Sequence, residues 1–399
     1  MTGIVIVGAG QAGASLAARL RSLGYAGNLT MIGAEPLSPY QRPPLSKDYL
    51  LGRMGMERLY LRTPSFWEAQ GVVLKLGTEV TAIDRVTRTV RVGGETLPYE
   101  QLVLATGALP RRLPAAIGGD LGGIYTIRTL ADVDAMAPEF RDGCQLLIVG
   151  GGYIGLEAAA VGVKLGLQVT LIEKEPRILQ RVAAAETSAY FRALHRSHGV
   201  AIRENTGLER LTGETRVSGA ILSDGSTLPV DFVIVGVGVT PSTRLAEEAG
   251  LDIENGIRTD AFGRSSDPAI WAAGDCASFP HQGGRVRLES VGNAIDQAEI
   301  VAENMLGAER PYEAKPWFWS DQYNVKLQIA GLNTGYDRVV ARRGDVDAVS
   351  FWYYQAERLL ALDAMNDPRA YMIGKRLIEA GKSPDPAMIA DASVPLSIS

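Results

Sequence analysis

Gly3-Ile4-Val5-Ile6-Val7-Gly8-Ala9-Gly10-Gln11-Ala12-Gly13 is a short apolar run followed at once by a G-x-G-x-x-G loop. Behind it, Ala14 to Leu23 is rich in Ala and Leu and free of Pro and Gly, the composition of a helix. Strand, glycine turn and helix N-terminus together make a cradle for a pyrophosphate. Gly8 supplies the tight turn, Gly10 lets the backbone approach the phosphates, and Gly13 lets the helix lie close on the strand. The helix start adds free N–H groups and the positive end of its dipole. One such loop is equally compatible with a plain glycine turn in any α/β unit.

The loop occurs twice. Leu146-Leu147-Ile148-Val149-Gly150-Gly151-Gly152-Tyr153-Ile154-Gly155 repeats the pattern, and Leu156 to Leu165 again reads as helix. Two dinucleotide loops in 399 residues predict two dinucleotides, one bound flavin and one visiting nicotinamide. The two units differ at the end of their second strands. Val169-Thr170-Leu171-Ile172-Glu173 closes on a carboxylate 18 residues past Gly155, close to the roughly 20 expected for a group bonding the ribose 2′-OH. Glu173 would repel a 2′-phosphate, so NADH is expected over NADPH, with Lys174 and Arg177 close by in sequence. In the first unit the strand Leu29–Ile32 ends at Gly33, and Glu35 is the candidate for the ribose or, alternatively, a loop carboxylate beside Pro36.

Bulk properties narrow the classes. The length predicts two to three domains at about 150 residues each. A net charge of −5 gives nucleic acid no electrostatic support, and no apolar run approaches the ~20 residues of a membrane span. The chain enters a strand at its start, leaving no basic n-region or h-region, and a cytoplasmic location is expected. Cys144 and Cys276 form no C-x-x-C and read as buried structural thiols. His195 and His198 stand three apart on a predicted helix; a metal is conceivable, but a solvated helix face is the expectation.

Between the loops, Tyr40-Gln41-Arg42-Pro43-Pro44-Leu45-Ser46-Lys47 reads as an extended segment feeding a helix, with Ser46 as N-cap and Arg42 and Lys47 as cations aimed at the phosphate unit or plain surface charge. Strands are predicted at 72–76, 79–84, 89–92 and 101–107, the last ending at Ala105-Thr106-Gly107, small enough for backbone to lie against a flat ligand. Thr129 precedes a helix carrying Asp132 and Asp134. The second unit's last strand ends Gly236-Val237-Gly238-Val239-Thr240-Pro241. Ala272-Ala273-Gly274-Asp275 closes a buried strand; Asp275 could accept from a polyol such as a ribityl chain or cap a helix. Asn293 to Leu306 reads as helix. Past Gly307, Trp317-Phe318-Trp319 and short alternating strands at 325–329, 339–342, 348–354 and 358–362 mark a third, α+β domain.

With these strings in view, the chain resembles the bacterial FAD-dependent ferredoxin reductases that serve oxygenases, within the glutathione-reductase-like flavoproteins. The resemblance spans essentially the whole chain: GAGQAG at 8–13, PYQRPPLSKDYL at 39–50, ATGALPR at 105–111, GGGYIGLE at 150–157, AAGDCA at 272–277, ESVGNAIDQA at 289–298 and PWFWSDQY at 316–323. It implies an α/β fold with two Rossmann-like dinucleotide-binding domains and a C-terminal α+β domain. FAD would be held by 1–109 and 240–315, NAD by 110–239, with 316–399 closing the flavin face.

The resemblance also implies site roles. Gly8, Gly10, Ala12 and Gly13 serve the FAD pyrophosphate, and Glu35 the adenosine end. Arg42, Val80, Ala105, Thr106, Gly107, Arg128 and Val291 contact FAD, and Asp275 its ribityl. Gly150, Gly152, Tyr153, Ile154, Gly155, Glu173 and Gly238 serve NADH. Lys47 lies beside the isoalloxazine and pairs with Glu157 from another domain; Trp319 borders flavin and nicotinamide. Where relatives carry Asn, this chain has Ser242, with an expected change in helix capping.

The loop Arg42–Lys47 lacks the redox cysteine pair of the disulfide reductases, so electrons must leave the flavin directly. The expected activity is NADH:ferredoxin oxidoreduction, FAD passing single electrons to a 2Fe–2S ferredoxin that supplies a monooxygenase or dioxygenase. Rubredoxin reductase and NADH oxidase are the rivals within the fold. A flavin-bound signalling protein of the apoptosis-inducing-factor kind is the rival outside this class. No metal site, nucleic acid or membrane partner is expected, and a monomer or weak homodimer is. Arg285, Arg287, Arg310, Lys315, Arg342 and Arg343 are the candidate cations for docking an acidic ferredoxin.

Overall fold

The strand Ile4–Val7 sits at the middle of a parallel sheet ordered Ile270–Ala272, Gln101–Leu104, Ile4–Val7, Leu29–Gly33, Val72–Leu76. This is a computed structural model, describing residues 2–344 and 347–397. It divides into two units: 1–41 with 55–109 and 240–316, and 42–54 with 110–239 and 317–399. Arg42–Met54, expected with the first glycine loop, groups with the second.

In the first unit the helix Gln11–Ser22 packs Ala12, Leu16, Ala17 and Leu20 against Ala294, Ala298, Val301 and Ala302 of the helix Val291–Met305. Small residues on both helices permit the close crossing that seats them on one sheet face. The other face is covered by a core of Val5, Val7, Leu102 and Leu104 with Val80, Val90 and Val92 from an antiparallel three-stranded sheet. That sheet includes Glu95–Pro98, a strand the sequence pattern does not announce because its residues alternate weakly.

The second unit repeats the plan with strands ordered Ala201–Arg203, Gln168–Ile172, Gln145–Val149, Phe232–Val235, Ile124–Tyr125, all parallel. The helix Tyr153–Lys164 follows the second glycine loop. Thr129 caps the helix Leu130–Met136 in a reciprocal box with Asp132. The same unit holds an antiparallel sheet ordered Trp317–Gln322, Val325–Gly331, Arg358–Met365, Val349–Gln355, Arg338–Arg343. The helix Pro368–Glu379 packs on it through Ala370 and Leu377 against Trp352 and Leu362.

Local differences from expectation have physical causes. Both glycine-loop helices begin three residues early, at Gln11 and Tyr153, because each third glycine lies inside its helix. Pro43–Ser46 forms a 3-10 turn with no long helix after it, so Ser46 caps nothing; its hydroxyl is used elsewhere. The helix Arg244–Glu248 is entered through Thr243, with Ser242 in the turn before it.

Candidate active site

The two glycine loops share one geometry. Gly8 and Gly150 have φ of +120° and +109°, and a Cβ on either would strike a neighbouring carbonyl oxygen, Ala105 O at 2.1 Å or Gly236 O at 2.4 Å. On Gly13 or Gly155 a Cβ would fall 2.0 or 2.3 Å from the carbonyl of Gly8 or Gly150. These four glycines are required by the fold. Gly10 and Gly152 are not. Their backbones are extended, at φ −94° and −80°, and an added Cβ would meet nothing within 4 Å among the described residues. Bareness there leaves a cradle open at each helix N-terminus, which is where a pyrophosphate needs backbone N–H groups without side chains in the way. The residues present therefore fit a dinucleotide at both loops.

Around the first loop, Ala105 is buried. Thr106 Oγ1 donates to Ser242 O at 2.7 Å, and Gly107 turns with φ +70°. Glu35 follows the strand Leu29–Gly33 and accepts from Tyr40 Oη. Asp275 follows Gly274, whose N–H donates to Gln297 Oε1 at 2.9 Å. Arg287 Nη1 donates to the Asp275 carbonyl at 3.1 Å. Val80 is buried in the adjoining core, and Val291 opens the helix capped by Ser290.

At the second loop Glu173 Oε2 accepts from Gly151 N at 2.7 Å and Oε1 from Glu175 N at 2.9 Å, so the carboxylate is fixed against the loop. Arg177 is turned away, donating to Ala184 O and Ser188 Oγ. Gly238 has φ +96° and accepts from Arg111 N at 3.0 Å. Ile154 is exposed, and the Tyr153 ring lies 4.8 Å from that of Phe318.

Lys47 and Glu157 form the expected ion pair, Nζ to Oε1 at 3.0 Å. Both fall in the same compact unit. Glu157 also accepts from Ser46 Oγ at Oε2 and Ser320 Oγ at Oε1, each at 2.6 Å. Burial pushes its carboxyl upward, and the Lys47 ammonium and the two hydroxyls pull it back. The strand Trp317–Gln322 explains the convergence. Its alternation places Phe318, Ser320 and Gln322 on one face, and the helix brings Tyr153 and Glu157, four apart, to meet the first two. Trp317 and Trp319 occupy the opposite face, stacked at 5.4 Å. Arg42 donates to the backbone carbonyl of Arg128, and Tyr49 to Asp134 at 2.7 Å, holding the 42–54 segment.

Sequence reasoning missed Ser46, Ser320 and Gln322; the only signal was that each lies inside a quoted string, RPPLSK or PWFWSDQY. It also misread His195. That ring is fully buried rather than solvated, because Gln322 from the C-terminal sheet supplies its hydrogen bond at 2.8 Å. Among the described residues no cluster of three His, Cys, Asp or Glu could hold a metal, and no helix is long and apolar enough to cross a membrane. Cys276 is buried, with burial raising its thiol pKa, whereas Cys144 is half-buried rather than buried; both are free. Three docking candidates are consumed by structure. Arg285 donates to Thr259 O and Ser278 O, Arg287 pairs with Glu289, and Arg342 is 8% exposed and bound to four carbonyls.

Residues 2–298 match the pyridine nucleotide-disulphide oxidoreductase family and residues 317–398 the reductase C-terminal family. The chain is 45% identical over 401 residues to the ferredoxin–NAD(P)(+) reductase fdr of a Sphingomonas species, covering 98% of this chain and 96% of that one. It is 42% identical over 403 residues to putidaredoxin reductase CamA of Pseudomonas putida, covering 98% and 95%. The crystal structure of a covalent putidaredoxin reductase–putidaredoxin complex superposes with a TM-score of 0.95 at 41% identity, over 99% of this chain and 97% of that one. With paired glycine cradles and no redox cysteine pair, the chain belongs to the pyridine nucleotide-disulphide oxidoreductase family as an FAD-dependent enzyme without a redox disulphide.

Proposed function

We propose that the protein is an NADH-dependent ferredoxin reductase that feeds a 2Fe–2S ferredoxin serving a monooxygenase or dioxygenase. The observation that carries the two-cofactor reading is the pair of glycines, Gly10 and Gly152, whose lack of a side chain no protein contact demands. Similarity over nearly the full length to a ferredoxin–NAD(P)(+) reductase and to putidaredoxin reductase supports the acceptor. Residues 1–109 and 240–315 are assigned to FAD, 110–239 to NADH, and 316–399 to the C-terminal domain. We take the enzyme to be cytoplasmic and monomeric or weakly dimeric.

When bound, FAD supplies the redox chemistry, taking two electrons from NADH as hydride and releasing them one at a time. The chain supplies binding and orientation. The N–H groups at the starts of the two glycine-loop helices bind pyrophosphate, at Gly10, Ala12 and Gly13 for FAD and at Gly152 to Gly155 for NADH. Glu35 and Asp275 are assigned to the FAD adenosine and ribityl hydroxyls, and Val80, Thr106, Arg128 and Val291 to its contacts. Glu173, held by two backbone N–H groups, is oriented to accept from a ribose hydroxyl and disfavours a 2′-phosphate. Lys47, fixed by the buried Glu157, presents a positioned ammonium to the reacting ring. Trp319 offers an aromatic face.

The test is anaerobic addition of NADH to the purified flavoprotein, followed by cytochrome c reduction with and without an added 2Fe–2S ferredoxin. Flavin bleaching and a strict ferredoxin requirement are expected. Rapid oxygen consumption without ferredoxin would mark an NADH oxidase instead. Slow turnover with long-lived charge-transfer bands would mark a signalling flavoprotein.

A further inference from the structure

Behind Glu157 lies a set of buried polar groups that binding and hydride transfer do not call on. They are connected, and their directions can be assigned one after another. Glu157, paired with Lys47, is acceptor-only as a carboxylate, so Ser320 must spend its single proton on Glu157 Oε1, 2.6 Å away. Ser320 Oγ can then only accept from Gln322, whose Nε2 is at 3.1 Å. That fixes the amide, turning Gln322 Oε1 toward His195 Nε2 at 2.8 Å. A carbonyl oxygen cannot donate, so His195 carries its proton on Nε2. Its Nδ1 lone pair meets Tyr323 Oη at 3.3 Å. Burial holds the imidazole pKa down to about 4, so at neutral pH the ring is uncharged and one tautomer suffices. Ser320, Gln322 and His195 are all fully or almost fully buried. At the far end the Tyr323 ring stacks on the exposed His198 at 3.7 Å.

We infer that Ser320, Gln322 and His195 form one directed hydrogen-bond chain, every proton pointing toward Glu157, that positions the Glu157 carboxylate for Lys47. Its significance for hydride transfer rests on the proposed role of the Lys47–Glu157 pair in the reacting site. The chain runs from the helix Ala185–Ser197 through the strand Trp317–Gln322 to the helix Tyr153–Lys164. Gln322 and His195 are positioning residues that act only through Glu157. The directions are coupled. Were Glu157 to gain a proton and donate it to Ser320, the Ser320 hydroxyl could turn to Gln322, the amide could flip, and His195 would move its proton to Nδ1. The tautomer of His195 therefore reports the charge on a carboxylate two residues removed from it.

The experiment uses the FAD-loaded protein labelled with 15N-histidine. With three histidines in the chain, the His195 signals are assigned by comparison with His195→Gln. The expected result at neutral pH is the Nε2–H tautomer. Gln322→Glu is nearly isosteric but places an acceptor opposite Ser320, drawing its hydroxyl away from Glu157 and a proton onto His195. The His195 signal should become that of the cation. In stopped flow, NADH reduction of the flavin should slow about tenfold, the rate equivalent of one hydrogen bond. In a Glu157→Gln background, Gln322→Glu should add no further slowing, because the carboxylate it acts through is gone. An Nδ1–H tautomer in the wild type, or equal slowing in both backgrounds, overturns the chain. Should Gln322→Glu fail to fold, the wild-type tautomer still decides. If Lys47→Ala and Glu157→Gln reduce as fast as wild type, the role of the ion pair fails by itself, and the tautomer remains the test of the chain.

Discussion

Lys47 Nζ stands 3.0 Å from Glu157 Oε1 with both side chains largely shielded from water, and two serine hydroxyls complete the carboxylate's shell. Removing one partner of such a pair strands the other charge, at a typical cost of ~3–5 kcal/mol. Lys47→Ala is expected to lower thermal stability and slow NADH reduction of the flavin, whereas the exposed Lys382→Ala should match wild type in both. Indistinguishable behaviour of the two variants, in melting and in stopped flow, would count against a role for the pair.

The glycines of each loop should separate into two classes. Gly10→Ala and Gly152→Ala have room for a methyl and ordinary backbone angles, so melting of the cofactor-free chain should be nearly unchanged. Gly10→Ala should lose FAD, and Gly152→Ala should retain FAD but bind NADH poorly. Gly13→Ala and Gly155→Ala, with Cβ positions inside 2.5 Å of a carbonyl oxygen, should fail to accumulate as folded protein. Flavin content and NADH titration check the first pair, and soluble yield checks the second.

Glu173 holds the second loop as well as facing its cradle. Glu173→Arg should therefore raise the NADH KM by about tenfold or more, the loss of at least one charge-assisted hydrogen bond, while improving NADPH use. An unchanged coenzyme preference in steady-state assays would remove Glu173 from its assigned role.

Two buried groups give stability opposite pH slopes over nearly the same interval. Burial raises Asp363 from 3.8 to about 6, against the opposing hydrogen bonds of Tyr353 and Thr187. The folded chain keeps a proton there that the unfolded chain releases, so this contribution worsens as pH rises through that window. Burial lowers His195 from 6.5 to about 4, with the Gln322 hydrogen bond opposing. The unfolded chain takes up a proton the folded one refuses, so this contribution is lost as pH falls. Each is worth roughly 3 kcal/mol. Urea unfolding of the FAD-loaded protein between pH 4.5 and 7 should show steeper acid destabilisation in Asp363→Asn than in wild type, and shallower in His195→Gln. Parallel slopes in all three would refute the assignment.

Of the cations considered for an acidic ferredoxin, Arg310, Lys315 and Arg343 keep exposed side chains. Arg310 is 61% exposed although it pairs with Glu303. Reversing Arg310 and Lys315 together should raise the KM for ferredoxin several-fold and flatten its salt dependence, leaving ferricyanide reduction nearly unaffected. A matched response of both acceptors would place docking elsewhere.

The glycine loops, the strands behind them and the C-terminal sheet were legible because each is a local pattern: an apolar run, a spacing, an alternation. The place of Glu173 against its loop was legible for the same reason, since it sits at a fixed offset from the third glycine. What could not be read locally is what a polar side chain meets across the fold. Ser46 looks like a helix cap until the buried Glu157 claims its hydroxyl. His195 looks like half of a surface pair until Gln322, 127 residues later, supplies its partner. Arg285, Arg287 and Arg342 count as available positive charge until the carbonyls and carboxylates they satisfy are seen.

Arg342 has a bearing on biosynthesis. Its guanidinium donates to the carbonyls of Ile389, Asp391, Ala392 and Val394 from the strand Arg338–Arg343, which is the outer strand of its sheet, and Ile389 shares that sheet's core with Val340. Those carbonyls lie 47 to 52 residues after Arg342 and are synthesised later than the strand they meet. Until that stretch is made, the emerging chain carries an unsatisfied buried cation beside an open core, a state prone to wrong association. Residues 389–394 thus act as a seal on this side of the sheet, and a premature stop before residue 389 would leave Arg342 unsatisfied and the core beside Val340 open.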